Sequence, residues 1–167
     1  IAEKLAREGN YSRKAQDDYA LMSYNRARTA EDTGVFADEI VAVAVESQGE
    51  KTRVEKDEQP YARDLTKLTR LLPVFVKEGG TVTAGNASSI NDGAAVLILG
   101  PYNPNLKPLA RIVAQSAHSR EPAGFPLAPA GAIANVLRQW GVSLDAIDLF
   151  EINEAFAVTT LAVCDML

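Results

Sequence analysis

A chain of 167 residues is long enough for one ordinary domain with a real core, or for pieces of two. Its 47% hydrophobic and 23% charged residues exclude a disordered tract, and no apolar run approaches the roughly 20 residues that cross a bilayer, so no membrane partner is expected. The net charge of −5 argues against a nucleic-acid surface, which needs a clustered basic patch, while leaving room for a small basic site for a phosphorylated ligand. The single cysteine excludes an intrachain disulfide and fits an intracellular, reducing compartment without naming one.

Residues 1–8 have the pattern of an amphipathic helix, not of a signal or transit peptide, and Gly9-Asn10 reads as its C-cap. With no initiating Met ahead of them, the reading expects a segment of something longer. Ser12 is placed to N-cap a long helix that ends at Gly34. Ala15, Tyr19, Met22, Ala27 and Ala30 form its expected apolar stripe, and Arg13, Lys14, Asp17, Asp18, Arg26 and Arg28 its solvated face. From Phe36 to Val45 the β-branched residues Ile40, Val41, Val43 and Val45 predict a strand. The charged stretch 46–64 reads as a surface loop or ragged hairpin, and 65–72 as a short helix closed before Pro73.

A loop rich in small residues, 80–93, then runs into Ala94-Ala95-Val96-Leu97-Ile98-Leu99, whose continuous apolar character predicts a strand buried on both faces. Gly100-Pro101-Tyr102-Asn103-Pro104-Asn105 is the strongest breaker cluster, and a domain boundary is expected there. Residues 109–117 read as a strand. Pro129 opens a helix over 130–140 that Gly141 closes. A buried strand is expected over 147–152 and a further helix over 154–167. Strands alternating with helices predict an α/β layered arrangement.

Few residues could carry chemistry. The glycine-rich loop matches neither a P-loop nor a dinucleotide fingerprint, and it is equally a tight turn or a ligand loop. Asn153, just past a buried segment, is either the cap of the following helix, the favoured reading, or an amide aimed at a site. Glu154 would then be a first-turn acid complementing the helix dipole. His118 reads as a solvated loop side chain and Cys164 as a small core residue. No spacing suggests a catalytic metal.

Three stretches, in order and covering nearly the whole chain, resemble the thiolase family: Ser12 through Glu39-Ile40, the run Gly80 to Ala95, and Asn153-Glu154-Ala155-Phe156. Within that family Phe125-Pro126 in the loop 121–129 resembles the acetoacetyl-CoA type. The resemblance implies a partial αβαβα layered fold. Residues 1–75 would be the loop-domain remainder and its return to the N-terminal domain, 76–105 the last strand unit of that domain, and 106–167 the start of the C-terminal domain. It implies an acyltransferase that makes acetoacetyl-CoA from two acetyl-CoA by Claisen condensation, or cleaves it by thiolysis.

In that scheme Asn153 holds a water in an oxyanion hole, with Glu154 in support. Ser88, Ala84 and Phe75 contact the pantetheine arm of coenzyme A, Arg63 lies near the adenine, and Phe125, Ala155 and Phe156 line the acyl pocket. No cofactor is required beyond the coenzyme A thioester substrate. Some members hold a potassium ion, here at Tyr61, Ala84, Gly85 and Ala87. A homo-oligomer, dimer or tetramer, is implied.

The family's nucleophilic cysteine, and its Gly-His-Pro and Cys-x-Gly-Gly-Gly elements, are expected outside these residues, and the eight residues 101–108 replace a family helix. Alone, the segment would be inactive. The alternatives to an enzyme segment are a non-catalytic acyl-CoA-binding subunit and an inactive remnant.

Overall fold

The computed structural model describes residues 1–47 and 49–167; Gln48, inside the predicted charged stretch, lies outside them. Helix α1 (Ala2–Glu8) is followed by α2 (Arg13–Asp32), a hairpin of β1 (Val43–Ser47) and β2 (Glu50–Val54), and a 3-10 turn at Leu65–Arg70. After the glycine-rich loop come α3 (Ala128–Trp140) and α4 (Ala157–Met166).

The helix ends obey the expected local chemistry. Asn10, at φ 57°, takes the chain out of α1. The Ser12 hydroxyl accepts the Ala15 N–H at 3.1 Å and starts α2. Pro129 sits in the first turn of α3, where its missing N–H has no intrahelical partner to lose. Gly141 ends α3 in the left-handed region at φ 77°, and the N–H groups of Gly141 and Val142 both donate to the Leu137 carbonyl.

A small core joins α1, the glycine-rich loop and α4: Ala2, Ala6, Val82 and Val158 are buried together, with Leu5, Tyr11, Ala87 and Phe156 packed against them. Val82 and Val158 are fully enclosed, which stabilises the fold by about 1.5–3 kcal/mol apiece. A polar tie reinforces the same junction. The Glu3 carboxylate on α1 accepts the N–H groups of Thr81 and Val82 and the Thr81 hydroxyl, all at 2.9–3.0 Å.

Several expectations give way. Helix α2 buries Gln16, Asp17 and Ala20, whereas Ala15 and Met22 of the predicted stripe are exposed. Its charges are not all solvated: Asp17 is 3% exposed, and Arg13 and Arg28 spend their guanidinium N–H groups on backbone carbonyls. The strand predicted over 36–45 begins only at Val43, because Phe36 to Glu39 coil into turns closed by the Glu39 and Ile40 N–H groups, which both donate to the Phe36 carbonyl.

The segments 94–99, 109–117 and 147–152 form no strand, and Val96, Ile98 and Leu149 stand 88%, 98% and 88% exposed. A strand exists only where a neighbour takes up its N–H and C=O groups, and among the described residues the β1–β2 hairpin is the only sheet. Cys164, in the last turn of α4, is exposed rather than a core residue, whereas its neighbour Val163 is fully buried. Among the described residues no helix is long and apolar enough to cross a membrane.

Candidate functional site

Helix α2 is the piece on which the two informative stretches are registered. Its first half holds the glycine-rich loop. The Arg13 Nε donates to Asp17 at 2.6 Å while its Nη2 reaches the carbonyls of Leu68 and Leu71, so a buried carboxylate and a guanidinium neutralise each other. The other Asp17 oxygen accepts from the Asn86 amide at 2.9 Å. That amide also donates to the Thr81 carbonyl, and its oxygen accepts the Thr83 N–H at 2.8 Å. Asn86, 3% exposed, therefore folds the loop around its own side chain. A Cβ at Gly85 would meet the Leu71 Cδ1 at 2.7 Å and the Leu68 Cγ at 3.1 Å, so the Leu71 side chain would have to shift to admit one.

The middle of α2 holds the Asn153–Phe156 segment. Both oxygens of Glu154 are engaged, one by the Tyr19 hydroxyl and the other by the Ser23 hydroxyl at 2.7 Å. Burial, then the contact with Glu154, push the Tyr19 phenol up to about 12. The segment is also stitched directly to the loop. Ala87 bridges Phe156, the Ser88 N–H donates to the Ala155 carbonyl, and the Ala157 N–H donates to the Asn86 carbonyl. This last bond corrects the capping expectation. Phe156 is the N-cap position of α4, no side chain caps it, and a donor of the first turn is satisfied by the loop's backbone instead of by Asn153.

Two concavities flank this junction. The larger, an open cavity of about 930 Å³, is lined by Tyr19, Ser23, Arg63, Ser88, Asn153 and Glu154 among others. The smaller, about 320 Å³, lies between Phe125, Pro126, Ile133, Asn153, Ala155 and Thr159. Asn153 is exposed and lines both, and among the described residues its carboxamide makes no hydrogen bond. Arg63 has a buried Nε with no partner among the described residues, and its backbone is fixed by the Arg28 guanidinium, which donates to the carbonyls of Pro60 and Arg63.

The predicted residues thus separate into groups. Asn153, Glu154, Ser88 and Arg63 share the larger cavity, and Phe125 and Ala155 share the smaller with Asn153. Ala84 and Phe75 line neither, Phe75 being 65% exposed, and Phe156 is packed on the core.

The residues named for a potassium ion do not all line one cavity. The Tyr61 hydroxyl donates to Asp32 at 3.0 Å, and the Arg28 guanidinium lies 5.4 Å from its ring centre. Gly85 and Ala87 line the larger cavity, which Tyr61 does not. No three His, Cys, Asp or Glu side chains among the described residues gather where a metal could bind. His118 rests beside Gly131 of α3, and Cys164, a free and exposed thiol, borders the larger cavity.

Tyr19, Ser23, Asp17 and Asn86 are the site-building residues that sequence reasoning missed. Nothing local distinguishes Asp17 from the exposed Asp18. The only available sign was the four-residue spacing of Arg13 with Asp17 and of Tyr19 with Ser23, which puts each pair on one helix face.

Comparison with known proteins matches residues 1–102 to the thiolase N-terminal domain and residues 106–167 to the thiolase C-terminal domain. The mitochondrial acetyl-CoA acetyltransferases of Mus musculus and Homo sapiens are 45% and 43% identical over 171 aligned residues, 99% of this chain. The chain spans about 40% of the length of these curated relatives. Among solved structures, the Bacillus anthracis acetyl-CoA acetyltransferase superposes with a TM-score of 0.90 at 41% identity, covering 98% of this chain and 43% of that one. A human mitochondrial 3-ketoacyl-CoA thiolase gives 0.81 at 39% identity, over 97% and 42%. The backbone therefore follows the thiolase fold throughout, although its wide sheets are not formed among the described residues.

Proposed function

The chain belongs to the thiolase family, and from that premise we propose that it supplies the coenzyme A contacts and the oxyanion asparagine of an acetyl-CoA C-acetyltransferase. The reaction is the Claisen condensation of two acetyl-CoA to acetoacetyl-CoA and coenzyme A, or its reverse. The observation that carries the reading is Asn153: a carboxamide without a protein partner among the described residues, at the boundary of two concavities, just before a backbone that the glycine-rich loop holds at Ala155 and Ala157.

Such a group suits a thioester that becomes an enolate. The negative charge develops on the carbonyl oxygen, and a fixed neutral donor, acting through a water it holds, stabilises that charge without titrating; one such donor is worth about 3 kcal/mol. The larger cavity suits the coenzyme A arm. Its wall is the small-residue backbone from Gly85 to Ser88, which an extended pantetheine can approach closely, and the Arg63 guanidinium can meet the nucleotide. The smaller cavity, bounded by Phe125 and Ala155, suits a short acyl group.

The thiol that accepts the acyl group and its acid–base partners are not assembled from the residues described here. The Cys164 thiol is free and exposed, and His118 lies against α3. The rival reading is a chain that binds acyl-CoA without turning it over.

The test is an assay of acetoacetyl-CoA with free coenzyme A on the full-length protein, together with calorimetric titration of coenzyme A. Acetyl-CoA formation supports the enzyme. Binding without product supports the rival, and neither binding nor product contradicts both.

A further inference from the structure

The Asn153 carboxamide makes no hydrogen bond among the described residues, and its backbone carbonyl accepts only the Ala155 N–H at 3.0 Å, so the direction of the amide is inherited from its neighbours. On one side, Ala155 to Ala157 are held by the glycine-rich loop through the Ser88-to-Ala155 and Ala157-to-Asn86 hydrogen bonds. On the other, the exposed run 147–152 makes no ladder that could steady the chain. What remains is Glu154. Its two oxygens are taken separately by hydroxyls one turn apart on α2, a residue range more than a hundred positions away in sequence. Two donors on different oxygens fix a carboxylate's rotation as well as its position, which a single contact does not. Tyr19 and Ser23 also line the cavity wall beside Asn153, so the clamp and the amide share one surface.

We propose that Tyr19 and Ser23 are positioning residues, holding the Asn153 amide toward the reacting carbonyl by clamping Glu154; this rests on the role given to Asn153 above. Neither hydroxyl touches substrate in this account. Their effect reaches the chemistry only through residue 153, and that makes it separable from a general contribution to folding.

The experiment is steady-state thiolysis of acetoacetyl-CoA by the full-length protein and its Tyr19→Phe, Ser23→Ala and doubly substituted variants, each repeated in an Asn153→Ala background. The double substitution should lower kcat by about 10- to 100-fold, the order that displacing a catalytic group by ~1 Å costs, with KM within about twofold. In the Asn153→Ala background the same substitutions should lower kcat no further, because the group they position is gone. Ser23→Thr, which keeps the hydroxyl, should retain wild-type kcat, and Tyr19→Phe, which removes one oxygen and no ring, keeps the test open if the double variant fails to fold.

Unchanged kcat in the folded variants, or losses that multiply with that of Asn153→Ala, overturns the proposal while leaving the thiolase reading intact. A wild-type protein without thiolysis overturns the reading and the proposal with it.

Discussion

Replacing Asn86 by Ala should be among the most damaging single changes in this chain. The Asn86 side chain makes three hydrogen bonds, with Thr83 N–H, the Thr81 carbonyl and Asp17. Thr83 is fully enclosed and Asp17 nearly so, so neither can turn to water when the amide is removed. Each buried group left without its partner costs about 1–3 kcal/mol, and two of them give a loss of about 4 kcal/mol. That is a large part of the roughly 5–15 kcal/mol that holds a domain together.

The nearly isosteric Asn86→Asp separates hydrogen bonding from packing. It places a second carboxylate oxygen where the amide nitrogen stood, 2.9 Å from Asp17, and two carboxylates that close do not both ionise. Asn86→Asp should therefore be as destabilised as Asn86→Ala near neutrality, and should recover part of the loss as the pH is lowered and one proton is shared. Asn86→Ala should show no such recovery. Urea midpoints of the full-length variants between neutral and mildly acidic pH give the answer. A loss under about 1 kcal/mol for Asn86→Ala, well below the cost of two buried orphans, or an Asn86→Asp variant that behaves like wild type at every pH, would refute the reasoning.

Gly141→Ala should destabilise by about 1 kcal/mol in a thermal melt: the residue sits at φ 77° with open space around its Cα, so the cost is backbone conformation alone. Arg63→Ala should raise KM for coenzyme A with kcat nearly unchanged, since a group that meets only the distant end of a substrate binds ground and transition states alike; a selective fall in kcat contradicts that placement. The Tyr19 phenol, raised to about 12 by burial and by Glu154, keeps its proton in the folded state over a range where the unfolded chain, at its ordinary value of 10.0, has lost it. Its contribution to stability is complete below pH 10.0 and is lost as pH rises from there through about 12. Tyr19→Phe should flatten that part of the pH–stability curve, and an unchanged slope would show that the contact does not persist in solution.

How much of this the sequence discloses depends on whether the deciding interaction is local. Ser12, Pro129 and Gly141 act within one turn of their own helix, so they mark the ends of α2 and α3 from composition alone. The segments 94–99, 109–117 and 147–152 carry the apolar character of buried strands, but character reports the surroundings a segment is suited to, and pairing is settled by a neighbour. Among the described residues that neighbour is not there, and the three runs stand open.

The site was legible in its ends and illegible in its support. The glycine-rich loop and Asn153-Glu154 declare themselves through unusual residue combinations. Asp17 looks like any surface acid until Asn86, 69 positions away, is seen to donate to it. Tyr19 belongs to an apolar stripe by periodicity, yet its use here lies in its hydroxyl. Asn153 reads as a cap from its position before a helix, but the Ala157 N–H donates to the Asn86 carbonyl instead. In each case the deciding contact spans more than 60 residues, beyond the reach of any periodicity rule.

The central claim is that Asn153 acts where charge develops on the thioester, and the direct test is the effect of Asn153→Ala on thiolysis by the full-length protein. The account predicts a fall in kcat of about 100-fold or more, as for other oxyanion-hole donors, with KM and the urea midpoint little changed because the amide holds nothing else in place. A variant that keeps its kcat, or loses it only in step with its stability, would contradict the claim and return Asn153 to a structural role.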